Sequence, residues 1–143
     1  MDIRPLDDKT AVAPQLEPED MGRLAADGVT TIICNRPDSE VPASHQAAAM
    51  QRAAEDAGLA FTFNPVSMPQ LTLHAVEEQA DAIAGSDGKV VAYCASGTRS
   101  AVLWALAMAG KMPADDILAA THKGGFALDG MRPQIEALEA QET

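Results

Sequence analysis

The sequence predicts an α/β layered fold on a mainly parallel sheet. Three observations predict it. Strand-like runs at Val29–Cys34, Ala60–Val66 and Lys89–Tyr93 alternate with stretches of helical period. Val29–Cys34 is continuously apolar or β-branched, the mark of a strand covered on both faces. Glycine or proline stands at most junctions between the segments. Parallel neighbours in such a sheet are joined by right-handed crossovers.

Taken in order, Ile3–Leu6 and Thr10–Ala13 read as short extended segments around a turn. Glu17-Pro18-Glu19-Asp20 opens a helix, with proline in the first turn and acids against the helix dipole. That helix is expected to reach Ala26 and stop at Gly28. The strand Val29–Cys34 runs into a loop, Asn35–Pro42, broken by two prolines. Ser44 is the expected N-cap of a helix from His45 to Ala57, closed by Gly58. The strand Ala60–Val66 follows, then a helix capped by Thr72 and running to Ala84. Lys89–Tyr93 is the next strand. Helices are expected over 99–109, 114–122 and 131–140, separated by Gly110, Gly124-Gly125 and Gly130.

At 143 residues the chain fits one domain, residues 1–143. Aromatic residues make up only 3%, so the core must be built from Ala, Val, Leu, Ile and Met. The net charge of −11 argues against a nucleic-acid or anionic-membrane partner, and any attraction for a small anion must be local to one pocket. The start shows no apolar leader segment, and no run approaches the ~18 apolar residues that span a bilayer. A cytoplasmic setting is the expectation. Cys34 and Cys94 share no metal-ligand spacing, and His45, His74 and His122 read as surface or capping residues. Neither a metal nor a cofactor is expected.

The chemistry is concentrated in residues 94–99, Cys-Ala-Ser-Gly-Thr-Arg, between a strand and a helix. Cys94 is therefore expected at a helix N-terminus beside backbone N–H groups and a guanidinium, surroundings that favour a thiolate. Gly97 lets the loop turn its N–H groups inward. Arg99 offers a planar fork to an oxyanion. Ser100 follows, with a hydroxyl expected to reach the thiolate. In an α/β sheet the ligand site lies beyond the strand C-terminal ends, where the loops 35–42, 67–71 and 94–99 are expected to meet. Cys94, Arg99 and Ser100 are thus the candidate catalytic residues. Ala95, Ser96, Gly97 and Thr98 are the candidate substrate-binding residues, and the substrate is expected to be a small anion.

The Cys-x4-Arg loop resembles those of rhodanese sulfurtransferases and of protein tyrosine or dual-specificity phosphatases. The chain as a whole resembles the β-lactamase-hydrolase-like phosphatase domain family, whose members are also described as sulfur transferases. The matching features are Met1-Asp-Ile-Arg, Ala13-Pro14-Gln15, Asn35-Arg36-Pro37-Asp38, Ala92 to Ser100, Leu103-Trp104-Ala105 and Gly130-Met131-Arg132-Pro133. The resemblance implies a three-layer α/β/α, dual-specificity-phosphatase-like fold with a central four-stranded, mainly parallel sheet. Phosphatases of that fold place five residues between cysteine and arginine and a histidine before the cysteine. This chain has four residues there, and Tyr93 in place of the histidine. The shorter spacing is that of rhodaneses, so sulfur transfer from a persulfide or thiosulfate through a Cys94 persulfide to a thiol acceptor is the first expectation. Phosphate-ester hydrolysis through a phosphocysteine is the second, and a non-catalytic anion or persulfide sensor or carrier the third.

Hydrolysis needs a general acid for the leaving oxygen. Asp38 is the candidate, although an Asx-type turn after Pro37 is the simpler reading of it. The loop 67–71 carries no carboxylate. Arg36 is a candidate second anion contact at the mouth, or a solvated loop arginine. Cys34, at the end of a strand expected beside the cysteine strand, is a candidate second thiol or a buried core residue. Trp104 reads as core.

Overall fold

The computed structural model describes residues 1–142. Its sheet has the order β1-β2-β5-β3-β4, with β1 Arg4–Pro5, β2 Thr10–Ala13, β3 Val29–Cys34, β4 Ala60–Phe63 and β5 Lys89–Tyr93. The pairs β2·β5, β5·β3 and β3·β4 are parallel. The expected four-stranded, mainly parallel sheet thus gains a fifth strand, because β1 adds antiparallel to β2 through Arg4↔Val12 and Pro5↔Ala11. Pro5 has no N–H to donate, which suits it to a sheet edge.

Successive strand residues point to opposite faces, so each strand feeds two apolar layers. Val12, Ile33, Val90 and Ala92 pack with helices α3 (Leu73–Ala84), α4 (Thr98–Ala107), α5 (Ala114–Lys123) and α6 (Arg132–Glu142). Ile32, Cys34, Val91 and Tyr93 pack on the other side with Met21 and Leu24 of α1 (Met21–Ala26) and Met50 and Ala54 of α2 (Ala47–Asp56). Three layers result. Helix α4 is buried all round, from Ser100 to Ala107, and packs against α3, α5 and α6. That explains its nearly unbroken apolar sequence and places Trp104 in the core.

Two helix starts differ from expectation. The first helix begins as a 3-10 turn at Pro18–Asp20 before α1, with Asp20 reaching back to the Glu17 N–H. Helix α2 begins at Ala47 rather than His45, and Ser44 does not cap it. The Ser44 hydroxyl pairs with His45 Nδ1, while Asp38, nine residues upstream, accepts the Ala47 N–H at 2.7 Å. Thr72 caps α3 as expected, accepting the Ala75 N–H at 3.1 Å. Strand β4 ends at Phe63, three residues early, because Asn64 turns into a buried polar network.

Candidate active site

Beyond the C-terminal ends of β3, β4 and β5, the segments that follow these three strands meet. Arg99 ties them together: its Nη1 donates to Val66 O at 2.9 Å and to Glu40 Oε2 at 2.9 Å, and its Nη2 to Glu40 Oε1 at 2.8 Å. Backbone bonds pin the same junction. Asn35 N–H donates to Tyr93 O, Asn64 N–H to Cys34 O and Val66 N–H to Asn35 O, at 2.8, 2.9 and 3.0 Å.

Cys94 follows the last residue of β5. Its side chain is wholly buried, and its sulfur accepts the Gly97 N–H at 3.1 Å. Gly97 has φ +92°, and a Cβ there would lie 3.1 Å from Phe126 Cζ, so only glycine closes this turn without strain. Helix α4 starts at Thr98, which sets the positive end of a ten-residue helix beside the sulfur. Ser96 and Thr98 are exposed; the Ser96 hydroxyl donates to Thr98 Oγ1 at 3.1 Å and accepts the Thr98 N–H at 3.4 Å. Ala95 anchors the loop through its carbonyl, which accepts the Gln15 N–H.

Ser100 departs from expectation. It is fully buried, and its hydroxyl donates to Asn35 Oδ1 at 2.9 Å. A hydroxyl has one proton, so this bond excludes donation to the Cys94 sulfur at the same time. Asn35 is the hub of a buried network. Its Nδ2 donates to Asn64 O and to Gln79 Oε1, both at 2.9 Å, and its Oδ1 accepts from Gln79 Nε2 at 3.1 Å. Asn64 Nδ2 donates to Ala75 O and to Gln79 Oε1. The network joins the ends of β3 and β4 to α3 and to the first turn of α4. Asn35→Ala leaves Gln79 Nε2 and the Ser100 hydroxyl without their acceptor in a dry interior. We expect a loss of roughly 2–4 kcal/mol, read as a lower urea midpoint at unchanged m-value.

Glu40 went unnoticed in the sequence. It takes the end of the Arg99 fork with both oxygens and also accepts from Arg36 Nε at 3.1 Å. The hydrogen bonds from Arg99 hold its carboxyl below the usual range; partial burial opposes this, and Arg36 adds to it. Glu40 in turn is the main reason Arg99 holds its charge more firmly. The signals available were an acid four residues after Arg36 and a loop at the right sheet edge.

Arg36 is neither free in solvent nor turned to an open anion site: besides Glu40 it donates to Gln15 Oε1 at 3.1 Å. Asp38 spends Oδ1 on the α2 N-terminus. Cys34 stands opposite Tyr93 in the β3·β5 register, as the predicted strand neighbourhood requires. Its Sγ donates to Arg36 O at 3.4 Å, and burial pushes its thiol up, which disfavours a second thiolate. Burial likewise pushes the Tyr93 phenol far above its ordinary range. Among the histidines, His45 binds Glu17 and Ser44.

The family model for the beta-lactamase hydrolase-like protein, phosphatase-like domain, matches residues 2–111. A beta-lactamase hydrolase-like protein of Xylella fastidiosa (strain Temecula1) is 35% identical over 130 residues, covering 90% of this chain. The chain spans only 30% of that relative's length. Among solved structures, a candidate phosphatase from Neisseria meningitidis Z2491 is 34% identical, with TM-score 0.81 over 96% of this chain and 99% of its own. A variant of P. aeruginosa TpbA in complex with phosphotyrosine has TM-score 0.69 at 12% identity, over 99% of this chain and 90% of its own. At that identity the likeness is one of fold alone.

Proposed function

The chain belongs to the phosphatase-like domain family of beta-lactamase hydrolase-like proteins, and from that premise we propose that it hydrolyses phosphate monoesters through a phosphocysteine at Cys94. The observation that carries this reading is the seat of the Cys94 sulfur at the head of α4. There it accepts the Gly97 N–H at 3.1 Å, with the Arg99 fork fixed in its electrostatic reach. The sulfur attacks phosphorus, and the loop N–H groups and Arg99 stabilise charge on the equatorial oxygens. Water then releases inorganic phosphate. Fold and neighbours support this order of preference, the reverse of the one that loop spacing alone suggests.

Sulfur transfer is the second reading, favoured by the four residues between Cys94 and Arg99. One experiment separates the two. The protein is incubated with nitrophenyl phosphate, or with thiosulfate or glutathione persulfide, then acid-quenched and weighed intact. A phosphoryl mass gain with phosphate release supports hydrolysis; a sulfur mass gain without phosphate release overturns it. No helix among the described residues is long and apolar enough to cross a membrane. Both cysteines are unpaired, which supports a reducing, cytoplasmic setting.

Glu40 positions Arg99 rather than touching substrate in this scheme. Glu40→Gln keeps the shape but weakens the clamp. We expect kcat to fall about tenfold with little change in thermal midpoint, because a small misplacement of the fork is felt mainly in the transition state.

A further inference from the structure

We propose that this site selects substrates by leaving group, turning over aryl and acyl phosphates and sparing alkyl phosphates; the proposal rests on the phosphatase reading above. Its basis is that both carboxylates in the loop after β3 are committed as hydrogen-bond acceptors. Asp38 Oδ1 accepts the Ala47 N–H at 2.7 Å and so caps the ten-residue α2. Gln46 Nε2 donates to the Asp38 carbonyl at 3.3 Å and to that of Val41 at 3.2 Å, which ties the same segment down. Glu40 places both oxygens on Arg99 and one also on Arg36. Glu40, with both oxygens on guanidinium groups, has no proton to give, and Asp38 has Oδ1 held on a backbone N–H. The loop after β4 offers none, since Ser67-Met68-Pro69-Gln70-Leu71 contains no acid. His45 has both ring nitrogens engaged, by Ser44 and Glu17.

The consequence falls on the first chemical step. A lone pair of the Cys94 sulfur forms the S–P bond while the P–O ester bond breaks. The departing oxygen keeps the electron pair and leaves as an anion, taking its proton later from bulk water. Without an acid, the barrier rises with the basicity of that oxygen. Phenolates and carboxylates leave; alkoxides do not. In the second step a water oxygen attacks phosphorus, the S–P bond breaks, and its electron pair returns to Cys94 as thiolate. The proton released by the water goes to phosphate or solvent. No oxidant, reductant or metal enters either step.

The test is kcat/KM for dinitrophenyl, nitrophenyl, phenyl and methyl phosphate, in order of increasingly basic leaving group. We expect a fall of at least about tenfold at each step. Values within about threefold across the three aryl esters overturn the proposal and leave the phosphatase reading standing. Dinitrophenyl phosphate turned over no faster than by the Cys94→Ser variant overturns both. Asp38→Asn adds a second check, because its side-chain oxygen still accepts the Ala47 N–H. The ratio of dinitrophenyl to phenyl rates is expected to stay at the parent value. A loss confined to phenyl phosphate would make Asp38 the acid and overturn the proposal.

Discussion

Cys94→Ser is expected to reduce turnover of nitrophenyl phosphate at least about a thousandfold, equivalent to ~4 kcal/mol of lost transition-state stabilisation. The serine hydroxyl is a far weaker nucleophile than a thiolate at neutral pH. The fold should survive the change. Cys94 is fully buried, but serine is smaller only by the difference between sulfur and oxygen, and its oxygen can still accept the Gly97 N–H. The measurement is phosphate release together with a thermal melt. An unchanged melt with retained activity would remove Cys94 from the chemistry. The same variant serves as the blank for the leaving-group series and should give no covalent adduct in the mass experiment.

Much of this architecture was legible because it rests on local signals. The strands Val29–Cys34 and Lys89–Tyr93 are found within the bounds their apolar runs suggest. Thr72 caps its helix for the reason any threonine does. The turn at Gly97 is recognisable because a tight loop between a strand and a helix needs a positive φ. What sequence reasoning missed depends on distant residues finding each other. Ser100 lies six residues after Cys94, yet its proton goes to Asn35, 65 positions away. Ser44 has the composition of a cap, but Asp38 reaches the helix end first. Glu40 looks like one more acid on an acidic chain until the fold brings Arg99 to it. Polar partners of this kind have no period and no fixed spacing, so only the assembled loops reveal them.

Arg99→Ala is expected to lower kcat/KM about 100- to 1,000-fold, or ~3–4 kcal/mol, the range for removing a preorganised donor from a developing oxyanion. More than charge is lost. Nη1 holds the Val66 carbonyl and both terminal nitrogens hold Glu40, so the arginine also fixes the relative positions of the loops after β3 and β4. Arg99→Lys separates the two contributions. Lysine restores a positive charge but not the planar fork, and it cannot grip Glu40 end-on while addressing a substrate oxygen. We expect it to recover about tenfold at most over alanine. The clamp also sets a pH dependence whose sign follows from Glu40. Its carboxyl is held below the usual range by Arg99, so the ion pair is complete above that range and is lost only as pH falls through the lowered value. Activity of the parent protein should therefore show no Glu40 titration from neutral into mildly acidic pH. In Arg99→Ala, Glu40 keeps only Arg36, and its titration moves back toward the ordinary carboxylate range. Carboxyl chemical shifts of Glu40 followed against pH in the two proteins would check this directly; the same midpoint in both would rule out the clamp.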